Sequence, residues 1–438
     1  MTDTTFNLHG LVEFVKAARA KLASLLSWLV GSRHLPPLAL GPNPASAQNQ
    51  VSTHSANIAI HPEHEAELTA LIAELRSEFG TFIHGTPGVH FARVSILSGK
   101  RFADVGDKLS IGIIFDGPIE TAIDFVTSNA DTLDPIFRHC EGYTADSARD
   151  PVKISRFLDR YSAKDGLFFS KYRTSASEID ACLSVQAHFL QFLRDVSNLP
   201  KEKVPEYLPS LMNRFLLASG DGDRSVDSAR PRRYRDKIPF RPHLTNTLSM
   251  VQPIKPGRFD RKSYVPYSDS GMLKVLRFIG PLFTHQQLFK IIAAIGNFST
   301  RQLHRHPLID LHTLHFGRAA IVNGNMVFSS VYDGDFTQYV VDFSSRVADQ
   351  IDLIWGLMEG YPAAGCRDVT GFLKWIRDGQ VDVEDFYSAT GNITLIQLQN
   401  AIELRKKLVR FSNRLPADGE ELQSRLDSFV QENQALLG

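Results

Sequence analysis

Two stretches of the chain carry nearly the same words. VHFARVSILSGKRFADVGDKLSIGIIFDGPI, from Val89, and LHFGRAAIVNGNMVFSSVYDGDF, from Leu314, both give H-F-x-R, a β-rich run and then an aromatic residue followed by Asp-Gly. Internal repetition on this scale signals a duplicated structural unit, and each copy must bury its apolar face against something. The surroundings repeat as well. SANIAIH from Ser55 alternates as a strand, and EHEAELTALIAELRSEFG has helical spacing closed by Gly80. HFARVSIL and KLSIGIIF follow as strands, then a helix to Cys140, a strand LFFSKY from Leu167 and a helix from Ser175 to Val196. In the second copy TLSMVQPI from Thr247 is a strand and Met272 to Ile295 is largely helical, interrupted at Gly280-Pro281. HFGRAAIV and NMVFSSVY form a hairpin, Asp335 to Met358 is a helix, DFYSA from Asp385 is a short strand and Leu395 to Phe411 is the trailing helix.

A chain of 438 residues is too long for one ordinary core. It divides into an amphipathic helix and Pro/Ala/Ser/Asn linker (1–54), a first unit (55–217), a polar, Arg-rich connection (218–244) and a second unit with C-terminal helices (245–438). The connection mixes Arg230, Arg232, Arg233, Arg235 and Arg241 with Asp221, Asp223, Asp227 and Asp236, the balance of a solvated linker. Lys plus Arg and Asp plus Glu stand at 48 each, so no global field draws the protein to nucleic acid, and no nucleic-acid partner is expected. Cys140, Cys182 and Cys366 are widely spaced, which argues against a disulfide framework and for a reducing, cytoplasmic setting. Residues 11–31 are helical in pattern, but their uncharged run is too short to cross a bilayer; they dock on a protein surface or make peripheral contact with a membrane interface. The sequence leaves the oligomeric state open.

The order β-α-β-β-α-β is the ferredoxin-like arrangement, with helices on one face of an antiparallel sheet and the other face needing cover. Two copies in one chain supply that cover by packing sheet to sheet. On the H-F-x-R and aromatic-Asp-Gly words and this order, the chain resembles the dimeric α+β barrel superfamily, which includes dye-decolourising peroxidases and chlorite dismutases. The resemblance implies an α+β fold, a closed barrel made by the two repeats, and a haem (heme) cofactor for peroxidase-like oxidoreductase chemistry on a small apolar or peroxide substrate.

Strand alternation puts Phe91 and Arg93, and Phe316 and Arg318, on the face between the sheets, with His90 and His315 towards the helices. A lone buried Arg is costly, and Asp116 and Asp333 at the ends of the adjacent strands are its expected partners. In the peroxidase reading, Asp116 or Asp333 moves the peroxide proton and Arg93 or Arg318 stabilises the leaving oxygen. His312 and His315 are the candidate haem ligands, with Phe91 and Phe316 as the cofactor's apolar wall, and the H-x-H of His304 and His306 is the candidate metal pair. The G-x-x-D-G word of dye-decolourising peroxidases is not reproduced at either Asp. The alternative is a non-catalytic protein that binds an apolar or carboxylate ligand, with the two arginines as anion anchors. No P-loop, G-x-G-x-x-G turn, G-x-S-x-G elbow or H-E-x-x-H occurs, which removes the common nucleotide, hydrolase and zincin readings.

Overall fold

A computed structural model describes residues 51–99, 102, 105–163, 166–220, 245–260, 280–302, 308, 311–413 and 415–437. The N-terminal helix of 11–31, most of the 218–244 connection, and His304 and His306 lie outside the described residues. Among the described residues no helix is long and apolar enough to cross a membrane.

The first half runs β1 (Val51–Ala59), α1 (Glu65–Phe79), β2 (Val89–Leu97), β3 (Lys108–Asp116), α2 (Glu120–Ser128), α3 (Ala130–Phe137), α4 (Pro151–Arg160), β4 (Gly166–Ser170), α5 (Ala176–Ser197) and α6 (Val204–Gly220). The second half runs β5 (Thr245–Pro253), α7 (His285–Gln302), β6 (Leu314–Val322), β7 (Asn325–Asp333), α8 (Phe336–Arg346), α9 (Ala348–Trp355), α10 (Val369–Gly379), β8 (Gln380–Val381), β9 (Asp385–Ser388), α11 (Leu395–Ser412) and α12 (Gly419–Glu432). The repeated words are the central hairpins, β2–β3 and β6–β7. Both halves also carry Glu-Gly-Tyr, at 141–143 after α3 and at 359–361 after α9, and Gly142 and Gly360 take positive φ of 72° and 65°, the left-handed region a chain enters on leaving a helix.

The sheets depart from expectation in two ways. They are open, in the orders β1-β3-β2-β9 and β4-β6-β7-β5-β8, and neither curls into the closed barrel implied by the resemblance. A barrel needs a hydrogen-bonded ladder between its first and last strands, and here β1 and β9 are opposite edges of one sheet, β4 and β8 of the other. The halves also exchange strands: β4 of the first half pairs with β6, and β9 of the second half pairs with β2. Ferredoxin-like units that each keep their own fourth strand are therefore not what the chain builds.

Each sheet has one face covered by helices. Ile58, Ala92, Val94, Ile111 and Ile113 face Leu68, Phe125, Leu133 and Leu158 in the first, and Leu248, Met250, Ala319 and Phe328 face Leu288, Phe289, Phe343 and Trp355 in the second. The remaining faces share a smaller core in which Val51, Phe91 and Ile114 meet Phe316 and Val331. The N-terminal turns of α5 and α11 close this space with Ile179, Leu395 and Leu398. Further along, α5 and α11 pack with α6 and α12 around Phe189, Leu208, Leu404 and Leu426.

Asp385 fastens the exchanged strand β9. Its Oδ2 accepts from Phe82 N at 2.6 Å and Ile83 N at 2.9 Å, and its Oδ1 accepts from Phe386 N. Burial pushes the carboxyl up from 3.8 to about 6, against those three N–H donors, which act the other way. A raised carboxyl takes up its proton more readily in the folded state. Its contribution is thus fully present below the unfolded value of 3.8 and is lost as pH rises through about 6. Wild-type protein is expected to lose about 3 kcal/mol relative to Asp385→Asn between pH 4 and 7, measured by urea unfolding at each pH. Parallel curves for the two proteins would refute the assignment.

Candidate functional site

Between the sheets lies a small cavity walled by both halves. Phe91, Ile114, Phe316 and Val331 give it apolar sides, while Thr53, Ser55, Thr247 and Ser329 add hydroxyl-bearing residues to its wall. Arg93 and Arg318 enter from opposite sheets. Its volume is about 20 Å³, room for the centre of a water molecule or of one small anion.

Arg93 is 5% exposed and donates from Nη1 to Ser249 Oγ of the facing sheet. Gly112, opposite it on β3, leaves space for the guanidinium: a Cβ there would stand 3.0 Å from Arg93 Nε. Arg318 is partly buried, donates from Nη2 to Ala163 O at 2.6 Å, and keeps a buried Nε without a hydrogen-bond partner. Burial, and after it the charge of Arg318, pull the Arg93 guanidinium down to about 9. Burial alone pulls Arg318 down to about 10. Both values lie above neutral pH, so two like charges face one small space, and no carboxylate among the described residues offsets either.

The expected Arg–Asp pairs do not form, and strand register is the reason. Arg93 lies opposite Gly112 and Arg318 opposite Ser329, so Asp116 and Asp333 are each four residues further along the neighbouring strand (112 to 116, 329 to 333). Four residues of strand span about 13 Å, beyond the reach of a guanidinium. Each Asp instead serves a histidine and a helix end. Asp116 Oδ1 is 2.7 Å from His90 Nε2, and Asp116 Oδ2 accepts from Ala176 N, the first residue of α5, at 2.7 Å. Asp333 Oδ1 is 2.8 Å from His315 Nε2 and also accepts from Thr245 Oγ1, while its Oδ2 accepts from Leu395 N, the first residue of α11, at 2.6 Å. Amide hydrogens at a helix start have no partner within the helix, and the dipole favours a negative group there. Because β4 and β9 are exchanged, each Asp ties its own sheet to the helix that follows a strand of the other.

His90 and His315 also depart from the alternation. The β2–β3 ladder shifts register between Val89 and Phe91, and the β6–β7 ladder shifts between Leu314 and Phe316. A bulge at each histidine re-aims it. The His90 ring meets Phe316 at 5.8 Å and Tyr172 at 5.9 Å between the centroids, so it points into the space between the sheets. His315 meets Tyr172 from the other side at 6.2 Å. Tyr172, which the sequence did not single out, is thus set between the two His–Asp pairs, and burial together with Asp333 and Asp116 pushes its hydroxyl far up.

The residues do not fit a haem. The cavity is far smaller than a porphyrin, His312 is exposed, and His315 is engaged by Asp333. Phe91 and Phe316 line the cavity, but as packed wall residues at 2% exposure. With the Arg–Asp pairing gone as well, the peroxide-cleaving arrangement is set aside.

A second cluster lies on the helix side of the first sheet. One nitrogen each of His64 and His139 and a carboxylate oxygen of Glu67 all lie within 4.8 Å of one another. The ring of His64 meets those of His61 and His139 edge-on, at 5.2 and 5.3 Å. Burial, and then His64, hold the His139 imidazole below its ordinary value. H-x-x-H-x-x-E over 61–67 was the available sequence signal, but His139 joins it only through the fold.

No family model matches the chain, and no curated protein does. Two solved structures match at very low identity. One is described as a "Putative monooxygenase" from Fusobacterium nucleatum subsp. nucleatum ATCC 25586, at 8% identity over 78% of this chain and 95% of that one, with a TM-score of 0.27. The other is described as an anthrone oxidase-like protein, at 7% identity over 78% of this chain and 95% of that one, with a TM-score of 0.20. Similarity of that order transfers neither a reaction nor a substrate.

Proposed function

We propose that the protein binds a small carboxylate-type anion between its two sheets, with Arg93 and Arg318 as the charged anchors and neighbouring hydroxyls as further donors. The observation that carries this reading is the pair of desolvated guanidiniums facing one cavity, with no carboxylate among the described residues to offset them. A buried unpaired charge costs several kcal/mol, and an anion between the two arginines would offset both burial costs and their mutual repulsion. The cavity volume of about 20 Å³ favours a ligand the size of formate or acetate over any longer acid.

Calorimetric titration with formate, acetate, butyrate and chloride tests it. Formate or acetate is expected to bind and to stabilise the fold by about 2.7 kcal/mol at a hundredfold excess over Kd, with butyrate much weaker. Absence of heat and of thermal stabilisation with all four would end the proposal.

A second reading is oxidoreductase chemistry in the general sense, without the haem mechanism. What supports it is the His64, Glu67 and His139 cluster, a nitrogen and oxygen donor set of the kind that holds redox-active or Lewis-acid metals. Iron- or copper-loaded protein that fails to oxidise any reducing dye in air would count against it.

A further inference from the structure

We infer that His64, His139 and Glu67 form a binding site for a divalent transition metal, zinc being the ion their donor atoms suit best. The site is separate from the anion cavity; it uses the three ligands of the second reading above but does not depend on redox chemistry, which zinc itself does not supply. Zinc binding at these residues together with no oxidase activity in the iron- or copper-loaded protein would leave this inference standing and end that reading.

The backbone brings the three residues together. Ile60, just beyond β1, bridges Cys140, and His61 N donates to His139 O at 3.0 Å, which fixes the strand exit against the chain leaving α3. His64 stands immediately before α1, its N–H donating to His61 O at 2.8 Å, and Glu67 lies in the first turn of that helix. Thus a turn, a helix start and a helix exit converge.

Ordinary hydrogen bonding does not account for the cluster. The Nδ1 atoms of His64 and His139 are both enclosed and without a hydrogen-bond partner. His139 Nδ1 is 4.0 Å from Glu67 Oε2, too far for a hydrogen bond. Leaving enclosed imidazole nitrogens unsatisfied is unfavourable, and His139 Nδ1 beside the Glu67 carboxylate, with a His64 nitrogen within 4.8 Å of both ligand atoms, calls for a shared partner. A cation supplies it. Zinc takes nitrogen at about 2.0–2.1 Å and oxygen at about 2.0–2.2 Å, which places neighbouring ligand atoms roughly 3.3–3.5 Å apart. Glu67, with 68% of its side chain exposed, is free to close the difference. Three protein ligands leave a coordination position open, and His61 stands beside His64 as a further donor.

The duplication supplies an internal control. In the second half Ile254 bridges Met358 and Lys255 N donates to Leu357 O at 3.0 Å, the same two contacts that Ile60 and His61 make with Cys140 and His139. Lysine and leucine therefore occupy the places of His61 and His139. The backbone arrangement needs no histidine there, so the cluster in the first half is not a requirement of the fold.

Full-length, metal-stripped protein titrated with Zn²⁺, and separately with Co²⁺ for its visible absorption, tests the site. Wild type is expected to bind one equivalent more tightly than any other, with a cobalt spectrum of nitrogen and oxygen ligation and a rise in melting temperature. His64→Ala/His139→Ala should weaken that equivalent by more than about 100-fold, since even outer partners of a metal ligand cost roughly 10–100-fold. Glu67→Gln, at an exposed position that leaves folding intact, should weaken it by about 10-fold and alter the cobalt spectrum. The exposed His188→Ala should change nothing. Equal zinc affinity and an unaltered cobalt spectrum in wild type and Glu67→Gln, or no tight equivalent in wild type, would overturn the inference.

Discussion

Arg93→Met is expected to make the ligand-free protein more stable by about 1–4 kcal/mol while abolishing its response to small carboxylates. Methionine fills much of the arginine's stem volume, needs no hydration and removes the charge that opposes Arg318 across the cavity. The gain should be largest for Arg93, at 5% exposure, and smaller for Arg318→Met, which is only partly buried. Thermal unfolding in carboxylate-free buffer and in acetate provides both readings. The sign carries the meaning: a structural arginine loses stability on replacement, whereas one held for a ligand gains it. A less stable Arg93→Met protein whose acetate response matched that of wild type would sink the anion site.

The opposite outcome is expected at Asp333. Asp333→Ala strips a partner from His315, from Thr245 and from the first amide of α11 in a site 8% exposed, and should cost about 3–5 kcal/mol. Asp335, two positions on, caps α8 at the surface by accepting from Gln338 N, so Asp335→Ala should cost only about 1 kcal/mol. Denaturant midpoints for the two variants decide the matter. Equal losses would mean that the Asp333 network carries no special share of stability.

These predictions show which parts of the molecule were legible in its sequence. Alternation found the central hairpins, because a half-buried strand writes its faces into every second residue. It also sent Phe91, Arg93, Phe316 and Arg318 to the correct face. It misplaced His90 and His315, because a bulge inserts one residue and reverses the count behind it. Pairing Arg93 with Asp116 assumed that strand start and strand end meet across the ladder, but hairpin register sets Gly112 there. The strands β4 and β9 were found in their places along the chain, yet nothing local to LFFSKY or DFYSA says which neighbour receives them. Barrel closure was inferred from element order, which does not encode the long-range ladder that closes a sheet. Tyr172, and the joining of His139 to the H-x-x-H-x-x-E stretch of 61–67, come from contacts between distant segments, and spacing along the chain carries no trace of those.

The crossing of β9 into the first sheet sets a timetable for synthesis. Arg93 pairs with Phe386, 293 positions later (386 − 93), so at about 5–20 residues per second the ribosome needs roughly 15–60 s to deliver the missing neighbour. Throughout that interval β2 presents a row of unanswered amide and carbonyl groups, a template on which a second nascent chain could dock. Emergence of the polypeptide, rather than any search by the finished chain, is then the slow event in reaching the native state, and rescue by holding chaperones belongs in that window.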